Sequence, residues 1–204
     1  MVKAKHILWA LLCVALPACS PPDNRRAETT AVASRLIGHE YAVVPFSDTV
    51  AEGLACKFAA TDDVWQAGVE MSGWTRGLLL CGESVPYLFL AKNIGVTQFA
   101  VSGGNPPQPY PRNRILAVQK LPKVSNYGAD GDGSGLLELV DSFAGQCDLD
   151  GGGGSSFVAL VRWKGEATVQ GPPGVEAAWG FDVEAARIVP LNPQQVACEP
   201  MLMD

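Results

Sequence analysis

Short apolar runs separated by glycine and proline are the feature of this chain that most restricts its fold. Of its 204 residues, 22 are glycine and 15 are proline. Both residue types interrupt helices, because glycine costs backbone entropy and proline lacks the amide hydrogen. A helical bundle is therefore disfavoured. The clearest strand lies at 178–183, where Trp179, Phe181 and Val183 alternate with small or acidic residues, as in a half-buried strand.

Short apolar runs between turn residues predict six further strands. In one of them, at 157–163, Phe157, Ala159, Val161 and Trp163 fall on one face. Residues 48–60 fit a short helix capped by Asp48. The predicted fold class is mainly β, with α+β as the alternative: an antiparallel sheet or sandwich with one or two short helices. The predicted strands are Tyr41–Phe46, Gly77–Cys81, Tyr87–Ala91, Thr97–Val101, Ile115–Gln119, Phe157–Trp163 and Ala178–Val183.

A proline-rich segment and four tryptophans have both structural and functional interpretations. The segment at 103–113, GGNPPQPYPRN, is predicted to connect two strands, and an extended ligand for a partner is the alternative. Most of the tryptophans are predicted to lie in the core, and the lining of a binding cleft is the alternative. They are Trp65, Trp74, Trp163 and Trp179.

The first 18 residues have the organisation of a secretory signal peptide. Lys3 and Lys5 precede an apolar run at 7–16. A run of that length is too short for a membrane-spanning helix, which needs about 20 residues, but it suits the apolar region of a signal peptide. The sequence therefore predicts export.

The end of the signal peptide, Leu-Pro-Ala-Cys at 16–19, resembles a bacterial lipobox. The resemblance implies that Cys19 becomes lipidated and anchors the protein on the periplasmic side of the outer membrane. Pro17 is an unusual residue within such a motif, and Cys13 is a poor rival because Leu12 precedes it. The alternative is ordinary cleavage after Ala18, which would release a soluble periplasmic or secreted protein.

The exported chain divides into a predicted tether at 19–38, polar and containing proline, and a single disulfide-stapled β-rich domain at 39–204. Removal of residues 1–18 leaves 13 Lys and Arg against 21 Asp and Glu, a net charge of −8. Binding to nucleic acid depends on clustered basic residues, so this charge disfavours nucleic acid as a partner. No later segment is apolar enough over its length to span a membrane.

Four cysteines besides Cys19 remain in the exported chain, and an even number predicts two disulfides. Of the three pairings, Cys56–Cys81 with Cys147–Cys198 is favoured because each bond would then hold one half of the chain. A cysteine nucleophile or a zinc site is disfavoured, because no CxxC motif occurs and His39 is the only histidine after the signal peptide. The four are Cys56, Cys81, Cys147 and Cys198.

The segment ADGDGSGLLELVD at 129–141 matches the spacing of a twelve-residue calcium loop. Such a loop places oxygen ligands at positions 1, 3, 5, 7, 9 and 12 and a glycine at position 6. Counted from Asp130, the glycine is Gly135. Position 12 carries an aspartate, which is shorter than the usual glutamate and predicts weaker binding. The predicted ligands are Asp130, Asp132, Ser134, the carbonyl of Leu136, Glu138 and Asp141.

The surrounding charge also favours a cation site. Between Lys123 and Arg162 there is no Lys or Arg, whereas six Asp or Glu residues occur there. Carboxylates held close together repel one another, and a divalent cation stabilises them. The alternative is an ordinary turn, because glycine and aspartate are common turn residues.

The flanks of the loop indicate which kind of calcium loop it is. Pro122 precedes it, and LLELV at 136–140 fits a strand at least as well as a helix, whereas an EF-hand needs two helices. Residues 130–140 resemble the DxDGDGxxDLV loop of FG-GAP-type β-hairpins. That resemblance implies that the loop leads directly into a strand and that Glu138 completes the coordination. It also implies that Asp141 lies outside the site.

These features together predict a non-enzymatic envelope lipoprotein that binds a protein partner and carries a structural calcium ion. By analogy with other small exported lipoproteins, it is predicted to be an inhibitor or immunity protein against a cell-wall hydrolase. One alternative is a carboxylate-dependent envelope hydrolase, for which Glu70, Glu83 and Glu138 are available. The other is a purely structural envelope lipoprotein.

Overall fold

The computed structural model of the protein describes residues 31–42, 55–82, 85–99, 107–122, 124, 137–141, 147–150, 154–163 and 168–199. Within these ranges, antiparallel strands form three sheets, so the predicted mainly β fold is confirmed. A short helix lies at 31–36. No helix in the described ranges has the length and apolar character needed to cross a membrane.

The first sheet contains five strands and is built from the N-terminal half of the chain. They are β1 (Glu40–Ala42), β2 (Cys56–Gln66), β3 (Val69–Cys81), β4 (Val85–Phe99) and β5 (Gln108–Lys120). Their order across the sheet is β1-β5-β4-β3-β2. Three successive hairpins join β2 to β5, because each of these strands pairs with the next one along the chain.

The C-terminal half of the chain supplies the other two sheets. Its strands are β6 (Leu137–Asp141), β7 (Cys147–Leu149), β8 (Phe157–Arg162), β9 (Val169–Gln170), β10 (Val175–Asp182), β11 (Arg187–Leu191) and β12 (Val196–Cys198). The second sheet has the order β11-β10-β8-β6 and the third has the order β7-β12-β9. A 3₁₀ helix at Pro193–Gln195, capped by the side chain of Asn192, precedes β12.

The layers are stacked so that the first sheet is covered on both faces. On one face, Leu79 and Phe89 pack with Leu36 of the 31–36 helix. On the other face, Leu78 and neighbouring residues pack with Val158 of the second sheet. Successive residues of a strand point to opposite faces, which is why the run at 78–81 is apolar throughout. Leu36 thus belongs to the core, although the sequence placed it in the tether.

The second sheet is also covered on both faces. Phe157, Ala159 and Val161 face the third sheet, and Trp163 packs against the same cluster. The intervening Val158 faces the first sheet. The predicted alternation at 157–163 is therefore confirmed. So is the alternation at 178–183, since Trp179, Phe181 and Val183 all contact the cluster between the first and second sheets.

Each of the two disulfides joins directly opposed residues of neighbouring strands. Cys56 and Cys81 are register partners in β2 and β3, and Cys147 and Cys198 are register partners in β7 and β12. The Cα atoms are 4.0 Å apart in both pairs. The pairing is the one favoured from the sequence, and one bond lies in each half of the chain.

Hydrogen bonds join the β2–β3 hairpin to the residues that precede β8. The Trp65 amide donates to Ser156 Oγ (2.8 Å), and the Ser156 amide donates to the Trp65 carbonyl (2.7 Å). At the turn, the Gly68 amide donates to the Gly154 carbonyl (3.2 Å). Gly154 has a φ of +75°, and a Cβ there would lie 2.6 Å from the Gly68 nitrogen. Only glycine fits this contact between the two halves of the chain.

Three local predictions were wrong. Residues 56–60, part of the helix predicted at 48–60, belong to strand β2, and residues 48–54 lie outside the described residues. Residues 108–113, predicted to connect two strands, belong to β5. The strands predicted at 87–91 and 97–101 are one strand, β4, over the described residues.

One buried tyrosine makes stability sensitive to alkaline pH. Burial raises the pKa of Tyr41 well above its ordinary value, and the Asn113 side chain opposes only part of that shift. Above about pH 10 the unfolded chain loses the phenolic proton while the folded protein keeps it, so folding stability falls as pH rises. We expect the urea midpoint to decline between pH 9 and 11, and less steeply in Tyr41→Phe. Tyr110→Phe, which keeps Tyr41, should retain the steep decline; equal slopes in the two variants would contradict this account.

Candidate functional site

Most of the predicted calcium loop lies outside the described residues. Four of its six predicted ligands are in this group: Asp130, Asp132, Ser134 and Leu136. The backbone of Asp141 is described, and the side chain and backbone of Glu138 are both described. Cys19, the predicted lipidation site, also lies outside the described ranges.

The segment that follows the loop is an extended strand. Leu137–Asp141 forms β6, which pairs antiparallel with β8 and places Glu138 opposite Val161. An EF-hand would have a helix after its calcium loop, whereas this chain has a strand at that position. The FG-GAP resemblance implied a strand at this position. Glu138 is the second residue of β6, directly after the acidic segment, where the strand fixes its backbone.

The carboxylate of Glu138 is held by a neighbouring indole. Trp163 Nε1 donates a hydrogen bond to Glu138 Oε2 at 2.9 Å, and both residues are half-buried. Trp163 in turn packs against the core between the second and third sheets. A hydrogen bond to an ionised acceptor is stronger than a neutral one and restricts the rotamers of the carboxylate. Glu138 is thereby oriented by a group anchored in the core.

The acidic residues of the chain are concentrated in its C-terminal half. Residues 19–123 hold 10 Lys and Arg against 9 Asp and Glu, whereas residues 124–204 hold 3 against 12. Asp148 and Asp150 are exposed at β7 and just after it. Within the described ranges, no three His, Cys, Asp or Glu residues are grouped so that they could hold a metal.

Of the three carboxylates considered for a hydrolase, the structure describes two, and they lie in different sheets. Glu70 is exposed in β3 of the first sheet, opposite Trp65. Glu138 lies in the second sheet and accepts from Trp163. Glu83 lies outside the described residues.

A second feature is a cleft between the first and second sheets, at their β2 and β6 strands. Its volume is about 120 Å³, and its apolar walls come from Leu78, Leu88, Leu139 and Val158. One polar group in the cleft is Arg76, whose side chain is only 3% exposed. Because Arg76 is two residues before Leu78 in β3, strand alternation turns it toward the second sheet.

Asp62 and Phe181 are among the groups that contact the Arg76 guanidinium. Asp62 Oδ2 lies 3.4 Å from Nη2, and the Phe181 ring centroid lies 5.9 Å from Cζ. The other oxygen of Asp62 accepts from the Asp63 amide at 2.8 Å. This site was not predicted from the sequence. An arginine on the inward face of an apolar strand would have indicated it, because a buried charge needs a specific partner.

Three of the four tryptophans pack against core clusters of the described residues, and the Trp163 indole also donates a hydrogen bond to Glu138. All four are half-buried. Trp74 and Trp179 pack against the core between the first and second sheets, and Lys92 Nζ lies 5.1 Å from the Trp74 ring centroid. The prediction that most of them lie in the core is thus met by Trp74, Trp163 and Trp179, although none of these is fully buried.

Comparison of the chain with protein-family models, with curated proteins and with solved structures found no match.

Proposed function

We propose that the protein is a lipid-anchored module of the cell envelope that binds calcium through its acidic loop and a protein partner through its surface, without catalysing a reaction. The observation that carries the calcium part is the placement of Glu138. The acidic segment runs directly into β6, and the carboxylate at its ninth position is held by Trp163. Oriented oxygen ligands are what a calcium site requires.

The proposed ligand set fits calcium chemically. Its members offer only oxygen donors, and three of them are carboxylates in a region where basic residues are scarce. Calcium accepts six to eight such oxygens in flexible geometry. The set comprises Asp130, Asp132, Ser134, the carbonyl of Leu136 and Glu138, with Asp141 as the twelfth-position candidate. When bound, the ion would offset two of the negative charges of the loop and fix it at the entrance to β6, a stabilising role.

Trp163 provides a specific test of how Glu138 contributes. Replacement by phenylalanine keeps most of the packing but removes the indole N–H that holds the carboxylate. Loss of such an orienting partner typically lowers metal affinity about 10-fold or more. We therefore expect calcium titration of Trp163→Phe to give an affinity about tenfold weaker than the wild type. Trp179→Phe, a half-buried tryptophan elsewhere, should bind as the wild type does; unchanged affinity in Trp163→Phe would contradict the role of the indole.

The proposed partner is an enzyme that degrades the cell wall. The proposal rests on analogy with exported lipoproteins that block such enzymes, and the two disulfides are typical of an exported protein. The test is the clearing of a peptidoglycan suspension by hydrolases of the same envelope, with and without the purified protein. We expect the protein to slow at least one hydrolase and to clear nothing alone. Clearing by the protein itself would favour the hydrolase alternative, and no effect on any enzyme would contradict inhibition.

Lipidation can be tested separately. Metabolic labelling with a fatty acid should mark the wild-type protein in the membrane fraction, and Cys19→Ser should lose both the label and the membrane association. A wild-type protein that is soluble and unlabelled would instead indicate ordinary cleavage after Ala18.

A further inference from the structure

The buried Arg76 is the feature that the proposed function leaves unused. A guanidinium removed from water needs a well-placed anion to offset the loss of hydration. Asp62 supplies a carboxylate at 3.4 Å, whereas charge-assisted hydrogen bonds of this type usually measure 2.7–2.9 Å. The Asp62 side chain is 34% exposed. It lies in β2, which is an edge strand of the first sheet in the described ranges. The carboxylate is therefore well placed to turn out toward solvent.

The cleft beside Arg76 has room for a small apolar group. An apolar cavity of roughly 150 Å³ accommodates benzene. The cleft of about 120 Å³ is slightly smaller, and its walls include Leu78, Leu88, Leu139 and Val158. By comparison with benzene, a chain of about four or five carbons would fit against these side chains. The cleft thus combines a cation with an apolar surface of limited size.

We propose that this cleft binds a monocarboxylate that carries a short apolar chain. The ligand carboxylate takes the place of Asp62 on the guanidinium, whose planar fork matches two carboxylate oxygens, and Asp62 turns outward. One monoanion replaces another, so the charge of the buried site is unchanged. The apolar chain lies against Leu88 and Leu139. Both charged groups belong to the first sheet and neither is a predicted calcium ligand, so the inference does not require calcium to bind.

Two sources present this chemistry: a free short-chain carboxylic acid, and the C-terminus of a peptide whose last residue is apolar. The probes are therefore pentanoate and a short peptide ending in leucine. Pentanamide and the C-terminally amidated peptide are the matched neutral controls. In each pair an amide replaces the carboxylate, which removes the negative charge and one acceptor oxygen but keeps the apolar chain, so the comparison measures the contribution of the carboxylate without any change to the protein.

The experiment is a titration of the purified protein followed by backbone amide NMR shifts. We expect saturable shifts around the cleft with at least one of the two anions, and at least tenfold weaker binding of its neutral control. Preference for pentanoate identifies a free acid as the source, and preference for the peptide identifies a C-terminus. Equal binding of anion and neutral control, or no shift with either anion, would overturn the proposal.

Three variants sharpen the result. Asp62→Asn removes the competing anion and should tighten binding of the preferred anion at least threefold. Asp63→Asn removes the same charge from the neighbouring exposed residue and should leave the affinity within twofold of the wild type. Arg76→Met should weaken binding at least tenfold, and the comparison of charged and neutral ligands stands even if that variant fails to fold. Weaker binding in Asp62→Asn would overturn the displacement of Asp62.

Discussion

Phe89→Ala should lower the free energy of unfolding by about 3–5 kcal/mol, the usual cost of truncating a fully buried phenylalanine. The ring is fully buried in the layer between the first sheet and the 31–36 helix. Its centroid lies 5.9 Å from that of Tyr41 and 5.6 Å from that of Phe58. It also covers Gly77, where a Cβ would come within 2.6 Å of the ring. Urea unfolding followed by circular dichroism measures the loss.

The matched control for Phe89 is an exposed apolar residue of the same sheet. Val69 is 60% exposed at the start of β3, so Val69→Ala should change the free energy of unfolding by no more than about 0.5 kcal/mol. A loss below about 1 kcal/mol for Phe89→Ala would mean that the aromatic cluster is not the core of this layer.

Replacing both Cys147 and Cys198 by serine should cost about 4 kcal/mol, the chain-entropy estimate for a bond that closes a segment of 51 residues. The effect should be concentrated in the third sheet. Its strands β7 and β12 have only three residues each, so few ladder bonds remain once the covalent link is gone. Amides at 147–149 and 196–198 should exchange with solvent faster in the variant, as measured by hydrogen exchange.

The other disulfide provides the comparison. Cys56 and Cys81 join strands of 11 and 13 residues, which pair along most of their length. Their replacement by serine should cost a similar free energy, about 3.5 kcal/mol, but leave exchange in the third sheet unchanged. Equal protection of the third sheet in both double variants would contradict a local role for the Cys147–Cys198 bond.

The strands that could be predicted from the sequence are those whose neighbours are apolar layers. At 178–183 large apolar residues alternate with small or acidic ones, whereas 157–161 is apolar throughout because that strand has a core on both faces. The structure confirms both strands. The disulfide pairing was predictable for a related reason. Each bond links segments of one half of the chain, and each half forms its own sheets.

The errors arise where non-local pairing overrides local composition. Cys56–Ala60 resembles a helix by itself, but Cys56 is bonded to Cys81, and Phe58 stacks on Tyr41. In β4, the sequence predicts two strands separated at 92–96. The strand instead passes through a bulge between Asn93 and Gly95, and Gly95 adopts a φ of +134°. Neither the disulfide partner nor the bulge is encoded in the local pattern.

The prolines of β5 illustrate the same limit. Pro109 and Pro111 predict a loop because they cannot donate to a ladder, yet they pair in register with Gln98 and Val96 of β4. Proline fits a strand where its nitrogen faces away from the paired neighbour. On the other side of β5, the last described pair with β1 joins Ala42 and Arg112, and Arg112 lies next to Pro111 in the chain.

The candidate sites were predictable to different extents. The calcium loop could be proposed from the sequence because its candidate ligands are close together there. The orientation of Glu138 was not, because Trp163 comes from another strand. Arg76 was missed because its cleft is assembled from strands of two sheets. Strand alternation alone, counted from Leu78, would have placed the charge inside.

Isothermal titration of the purified protein with calcium tests the central claim most directly. We expect one calcium per chain, with a dissociation constant of about 10⁻⁴–10⁻³ M, the range of extracellular modules. Asp130→Ala should abolish the heat or weaken binding at least tenfold, whereas Asp148→Ala, an exposed acid of β7, should leave it unchanged. Calcium heat that is the same in Asp130→Ala as in the wild type would contradict a site in this loop.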